Sequence, residues 1–168
     1  MTSFNEIERL IKKREYDEAL AACEEILGDS PDTLPEICRL RSWAFTSQAD
    51  YRSGINELVQ IIDCGKATIG DYHSAAFWSL YDEQYTQARK WFTTVLERGQ
   101  LEGNDWSTSS AVFYLAYAYM ELGDYHQAIT TLDGDRSKPS DSRVLLPNAG
   151  AITRDELRQE IQRRASPA

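Results

Sequence analysis

The side chains best suited to acid–base, nucleophilic or metal chemistry are few in this 168-residue chain: two histidines, His73 and His126, and three cysteines, Cys23, Cys38 and Cys64. A catalytic pair needs a base within hydrogen-bond reach of a nucleophile, and no motif ties either histidine to a Ser or Cys in that way. The cysteines are odd in number and lack the short paired spacing of a disulfide framework or a zinc site, so they read as small core hydrophobes. There is no Gly-rich phosphate loop and no His-Glu-x-x-His metal helix. The expectation is a chain with no catalytic residue, no metal and no cofactor. His126 reads as a surface residue.

Charge narrows the partner classes. A net charge of −9 leaves too few clustered cations to displace the counterions of a nucleic acid. The same acidic balance favours solubility and speeds encounter with a basic partner. No run of 18 apolar residues offers a membrane span. The start, Met1-Thr2-Ser3-Phe4-Asn5-Glu6, lacks the basic and apolar regions of a secretory signal, so a cytoplasmic location is expected. No particular oligomeric state follows from the sequence.

Four tyrosines organise the rest. Glu15-Tyr16-Asp17-Glu18-Ala19, Asp50-Tyr51-Arg52-Ser53-Gly54, Gln84-Tyr85-Thr86-Gln87-Ala88 and Asp124-Tyr125-His126-Gln127-Ala128 share one pattern. It is an acidic or amide residue, a Tyr, two polar residues and then Ala or Gly. The Tyr-to-Tyr intervals are 35, 34 and 40 residues. A small residue three after each Tyr suits two helices that cross closely. Seven after each Tyr stand Cys23, Leu58, Phe92 and Leu132, and nine before stand Ile7, Ser42, Ala76 and Ala116. These are the inward stripes expected of a second and a first helix in each pair.

A period near 34 is that of tetratricopeptide helix pairs. The run Val112-Phe113-Tyr114-Leu115-Ala116-Tyr117-Ala118-Tyr119-Met120-Glu121-Leu122-Gly123-Asp124-Tyr125 resembles that family's consensus, and Arg41-Ser42-Trp43-Ala44-Phe45 looks like one of its variants. The third copy departs from it, with Asp82-Glu83-Gln84 in place of the Leu-Gly turn and Ser79 where a large residue is usual. A one-residue shift of that first helix would exchange the roles of Phe77 and Trp78. The resemblance implies an all-α fold: a short right-handed α-solenoid of about four helix pairs with a C-terminal capping helix. As one domain over 1–168, the repeats fall at about 3–32, 35–66, 70–99 and 107–133. The long fourth interval is expected to be a loop from Gly99 to Trp106, and 134–152 an irregular segment. Thr153-Arg154-Asp155-Glu156 reads as a capping box that opens a helix over 153–165.

The resemblance also implies a concave surface formed by the first helix of each pair, where the family holds protein partners. Twelve before each Tyr stand Phe4, Arg39, His73 and Phe113; eight before stand Glu8, Trp43, Phe77 and Tyr117; five before stand Ile11, Thr46, Leu80 and Met120. Offsets of four and three share a helical face. Phe4, Arg39, Trp43, His73, Phe77, Phe113, Tyr117 and Met120 are therefore the expected partner-binding residues, forming an aromatic groove for a protein or peptide. The other expectation for these aromatics is that they pack on each other or on a terminal segment. Only Arg39 and Asn5 suit a grip on a terminal carboxylate, and Glu8 would repel one, so the carboxylate clamp of heat-shock co-chaperones is not expected. Two roles remain open: an adaptor or chaperone-like protein, and an acidic immunity protein that covers a basic toxin's active site.

Overall fold

Each of the four marker tyrosines is the first residue of a helix. The structure, a computed structural model, describes residues 3–103, 105–134 and 143–166, with the backbone alone at 105–107. The chain divides into two units between Trp78 and Ser79. The N-terminal unit contains α1 (Phe4–Lys13), α2 (Tyr16–Asp29), α3 (Leu34–Ser47), α4 (Tyr51–Asp63) and most of α5 (Ile69–Tyr81). The C-terminal unit contains the end of α5, then α6 (Tyr85–Glu102), α7 (Asp105–Glu121), α8 (Tyr125–Gly134), strands β1 (Arg143–Leu146) and β2 (Gly150–Thr153), and α9 (Arg154–Ala165). None of these helices is long and apolar enough to cross a membrane.

One backbone device makes all four intra-pair turns. The residue two before each Tyr lies in the left-handed region: Arg14 (φ 66), Ala49 (φ 61), Glu83 (φ 56) and Gly123 (φ 80). The next residue donates its N–H back to the carbonyl six before the Tyr, from Glu15 to Leu10 (3.0 Å), Asp50 to Phe45 (3.0 Å), Gln84 to Ser79 (2.8 Å) and Asp124 to Tyr119 (2.9 Å). A second bond runs from each left-handed residue to the carbonyl five before the Tyr. The pair of bonds is a Schellman ending, which satisfies carbonyls the helix terminus would otherwise orphan. The third copy keeps the turn without the Leu-Gly pair, and its helix ends four residues before Tyr85 as α3 and α7 end before theirs. Its register is not shifted.

Only Gly123 is free of the Cβ penalty of that conformation. Ala49→Gly and Glu83→Gly should therefore each raise stability, by about 0.5–1 kcal/mol after the added unfolded-chain entropy. Urea unfolding midpoints that fall in both variants would contradict this account of the turns.

The close-crossing positions are buried as expected: Ala19, Ala88 and Ala128 are fully buried and Gly54 lies in the buried face of α4. A Cβ on Gly54 would collide with Thr46 Cγ2 and come within 3.1 Å of the Ser42 carbonyl oxygen, so α3 and α4 cross closely there. The core contains Ile7, Cys23, Phe92 and Leu132 from the inward stripes, and Ile11, Ile37, Val95 and Phe113 from outside them.

Two segments differ from the sequence reading. The expected loop from Gly99 to Trp106 is mostly helical: α6 continues to Glu102 and α7 starts at Asp105, while Asn104 and the Trp106 side chain lie outside the described residues. Arg98 and Glu102 pair across one turn at 3.3 Å. Gly103, at φ 65, ends the helix by donating to the Gly99 carbonyl. The extra residues of the fourth interval thus lengthen helices rather than a loop. The second difference lies in 134–152. Residues 135–142 lie outside the described residues, but 143–153 form an antiparallel hairpin, with Val144 opposite Ile152 and Leu146 opposite Gly150. Pro147 and Asn148 (φ 62) occupy the centre of its turn, closed by the Ala149 N–H to the Leu146 carbonyl at 3.4 Å. Proline followed by a left-handed Asn is the chemistry of a type II turn.

Helix α9 begins where the sequence signals it. Thr153 Oγ1 accepts the Glu156 N–H (3.2 Å), and the Glu156 carboxylate accepts the Thr153 N–H (2.7 Å). Leu157 and Ile161 are fully buried.

Candidate functional site

In the N-terminal unit, α3 presents Arg39, Ser42, Trp43 and Thr46 to a cleft whose opposite wall is Asp71, Ser74 and Trp78 of α5, with Leu58 of α4 behind them. Trp43 remains 38% exposed. The Lys12 ammonium of α1 lies 5.8 Å from its ring centre, close enough for a cation–π attraction. Trp78 stacks on Tyr51, the first residue of α4, with ring centres 5.6 Å apart and planes 11° from parallel. Phe77 meets Trp78 edge-on at 4.9 Å. Trp78, next to the expected Phe77, thus lines the cleft together with Trp43 although the helix register is unshifted. Phe4, on α1, is 37% exposed.

Arg39 does not present a free cation. Its Nε and Nη2 donate to the two carboxylate oxygens of Asp71, each at 2.8 Å, and Nη1 lies 3.5 Å from Glu36. Asp71 is 4% exposed and also accepts the N–H and the hydroxyl of Thr68, both at 2.8 Å. Burial works to raise the Asp71 pKa, but the Arg39 and Thr68 hydrogen bonds outweigh it and hold the carboxyl below the usual value of 3.8. Thr68-Ile69-Gly70-Asp71 is a capping box of the same kind as Thr153-x-x-Glu156, because the Asp71 N–H also donates to Thr68 Oγ1 at 3.3 Å. One carboxylate therefore both starts α5 and ties it to α3.

A second arginine of α3 acts alike. Arg41 reaches Glu57 of α4 at 3.0 Å and Glu24 of α2 at 2.6 Å. Burial raises the Glu57 pKa, and the nearby arginine only partly offsets it. Burial pushes the Cys38 thiol up to about 12 and the Cys23 thiol up to about 11. Both therefore stay protonated and unreactive at neutral pH. His73 is half-buried, and desolvation lowers its pKa, so it meets the surroundings as a neutral donor and acceptor. His126 is exposed. Among the described residues, no group of three His, Cys, Asp or Glu could hold a metal ion.

The C-terminal unit is different. Phe113, Tyr117 and Met120 are 0%, 3% and 3% exposed, so the three α7 residues expected in a groove are core in this structure. Sequence elements far downstream cover them. The Tyr117 hydroxyl donates to the Pro147 carbonyl at 2.9 Å, and the Arg154 guanidinium lies 5.8 Å from the Phe113 ring centre. Tyr85 meets Tyr117 edge-on at 6.3 Å. Helix α9 is held by Arg164 to Glu121 of α7 (3.1 Å) and by Arg158 to Asp133 of α8. The open surface among the expected residues is thus Phe4, Trp43 and the partly exposed Arg39, His73 and Phe77.

No curated protein sequence matches the chain. Residues 110–134 match the family model of the tetratricopeptide repeat. Two solved structures share the fold: a crystal structure of Podosopora anserina putative kinesin light chain nearly identical TPR-like repeats, and a point-substituted form of the same repeats. The substituted form is 15% identical with a TM-score of 0.65, and the other is 14% identical with a TM-score of 0.64. In both, the alignment covers 96% of this chain and 81% of the other. The chain has the all-α solenoid-like fold of tetratricopeptide-like repeats with a C-terminal strand hairpin, and residues 110–134 of its fourth helix pair match the tetratricopeptide repeat by sequence.

Proposed function

We propose that the chain holds a partner protein through the cleft between α3 and α5, as an adaptor or chaperone-like module rather than a catalyst. Tetratricopeptide repeats generally mediate protein–protein contact. The observation that carries the specific reading is Trp43, a large aromatic left 38% exposed beside a cleft backed by Leu58 and Trp78. Aromatics that become buried in such clefts are the usual anchors of an interface, and the partly exposed Ser74 offers a hydroxyl to a bound backbone. Arg39, locked to Asp71, is a rigid wall of the site and not an anion clamp. Phe4, His73 and Phe77 extend the surface. Phe113, Tyr117 and Met120 are not part of it, because they are buried.

A second reading rests on charge. Residues 15–38 contain eight Asp or Glu and no Lys, Arg or His, and Asp17, Glu18, Glu25 and Asp29 of α2 are exposed. An acidic face of that kind suits an immunity protein against a basic toxin. Placing a photo-crosslinking residue at position 43, at 25 and at 101 and identifying the captured protein by mass spectrometry separates the readings. The cleft reading expects capture from 43, and Trp43→Ala to weaken that complex by about 2 kcal/mol with little dependence on salt. Capture from 25 alone, with affinity that collapses at high ionic strength, would sink the cleft reading in favour of the acidic face.

A further inference from the structure

The C-terminal hairpin sits on α7 in the manner of a ligand. It has two strands of four residues each, and a two-stranded hairpin is marginal in water unless it packs on something. Here Val144 and Leu146 turn inward, 7% and 2% exposed, while Leu145 between them is 55% exposed. The turn is tied to α7 by the side-chain hydrogen bond from Tyr117 to the Pro147 carbonyl. Beneath it lie Phe113, Tyr117 and Met120 of α7, which match in register Arg39, Trp43 and Thr46 of α3. The turn also leaves room beside it, an open cleft lined by Tyr85, Met120, Asn148, Leu157 and Arg164.

We propose that this hairpin is a displaceable internal ligand, and that α7 beneath it is a second protein-binding site for an extended segment carrying an apolar residue followed by proline. The incoming segment would insert its apolar side chain where Leu146 now sits and offer its next carbonyl to the Tyr117 hydroxyl. Local opening of a small element costs less than global unfolding, so the site is blocked without being lost. This proposal stands apart from the Trp43 cleft and survives or fails without it.

The probe is a fluorescein-labelled peptide of residues 143–153, titrated against the full-length chain by anisotropy, with native-state hydrogen exchange in parallel. Leu146→Ala and, as a milder change, Val144→Ala loosen the hairpin without touching α7. Either variant that stays helical should bind the peptide at least roughly tenfold more tightly than wild type. Adding Tyr117→Phe should then weaken that binding roughly fivefold, the size of one hydrogen bond. In wild type, hairpin amides should exchange through an opening at least about a hundredfold more populated than global unfolding. The proposal is overturned if folded variants do not bind the peptide, if hairpin amides exchange only by global unfolding, or if neither variant folds, which would make the hairpin an obligatory part of the core.

Discussion

Phe113→Ala should lower stability by about 3–5 kcal/mol, whereas Trp43→Ala, the removal of a larger ring, should lower it by about 1 kcal/mol or less. The two residues lie on first helices of their pairs, twelve and eight residues before their respective Tyr, and both are aromatic. Their environments differ. Phe113 is fully buried between α7's neighbours and the Arg154 guanidinium, so truncation leaves a void with little means of collapse. Trp43 already shows 38% of its surface to water, and its removal forfeits mainly the contact with Lys12 and part of the cleft wall. Tyr117→Ala should side with Phe113, because it loses both buried surface and the bond to Pro147. Urea unfolding of the three variants at one temperature is the measurement. Equal losses for Trp43 and Phe113 would mean that the cleft is packed shut in solution.

That contrast marks how far the sequence reaches. The repeat period picks out four tyrosines that each begin a helix, and it places the small residues after them at buried crossings, because close crossing follows from local helix geometry. It also identifies the face to which Phe113, Tyr117 and Met120 belong. It does not reveal what covers that face, since Pro147 and Arg154 lie 30 and 41 residues away from Tyr117 and Phe113 and obey no repeat. The hairpin itself is hidden by composition: Ser, Asp, Pro and Gly around it read as a loop, and strands of four residues are too short for a clear alternation. The Pro-Asn turn followed by a Gly is its one legible signal. Thr68-x-x-Asp71 is equally legible, being the same motif as Thr153-x-x-Glu156, yet its second role in gripping Arg39 depends on α3 and has no local signature. Gly99 misleads in the opposite direction. It reads as a helix stop, but a glycine within a helix costs only about 1 kcal/mol, and the true cap is Gly103 four residues on.

Asp71→Ala should cost about 2–3 kcal/mol at neutral pH and less in strong acid. The carboxylate is 4% exposed and accepts four hydrogen bonds, two from Arg39 and two from Thr68. Removing one member of a fully buried ion pair costs about 3–5 kcal/mol, and the loss here is smaller because the Arg39 side chain, 34% exposed, can recover some hydration. The sign of the pH dependence follows from the Asp71 pKa, which the fold holds below 3.8. A carboxyl with a depressed pKa contributes stability that is present above its unfolded value and is lost as pH falls through its folded value. The difference between wild type and Asp71→Ala should therefore be largest above the unfolded carboxylate value and shrink as pH falls through the lower folded value. Glu57, whose pKa is shifted upward by burial, titrates in the opposite sense, but it is common to both proteins and cancels in the difference. Because Asp71 caps α5 and anchors α3, the variant should also loosen the wall that carries Trp78 and reduce partner affinity at neutral pH. A difference between the two proteins that stays constant from about pH 7 to about pH 2.5 would show that the Asp71 carboxylate is not the ionised partner of Arg39 in the folded chain.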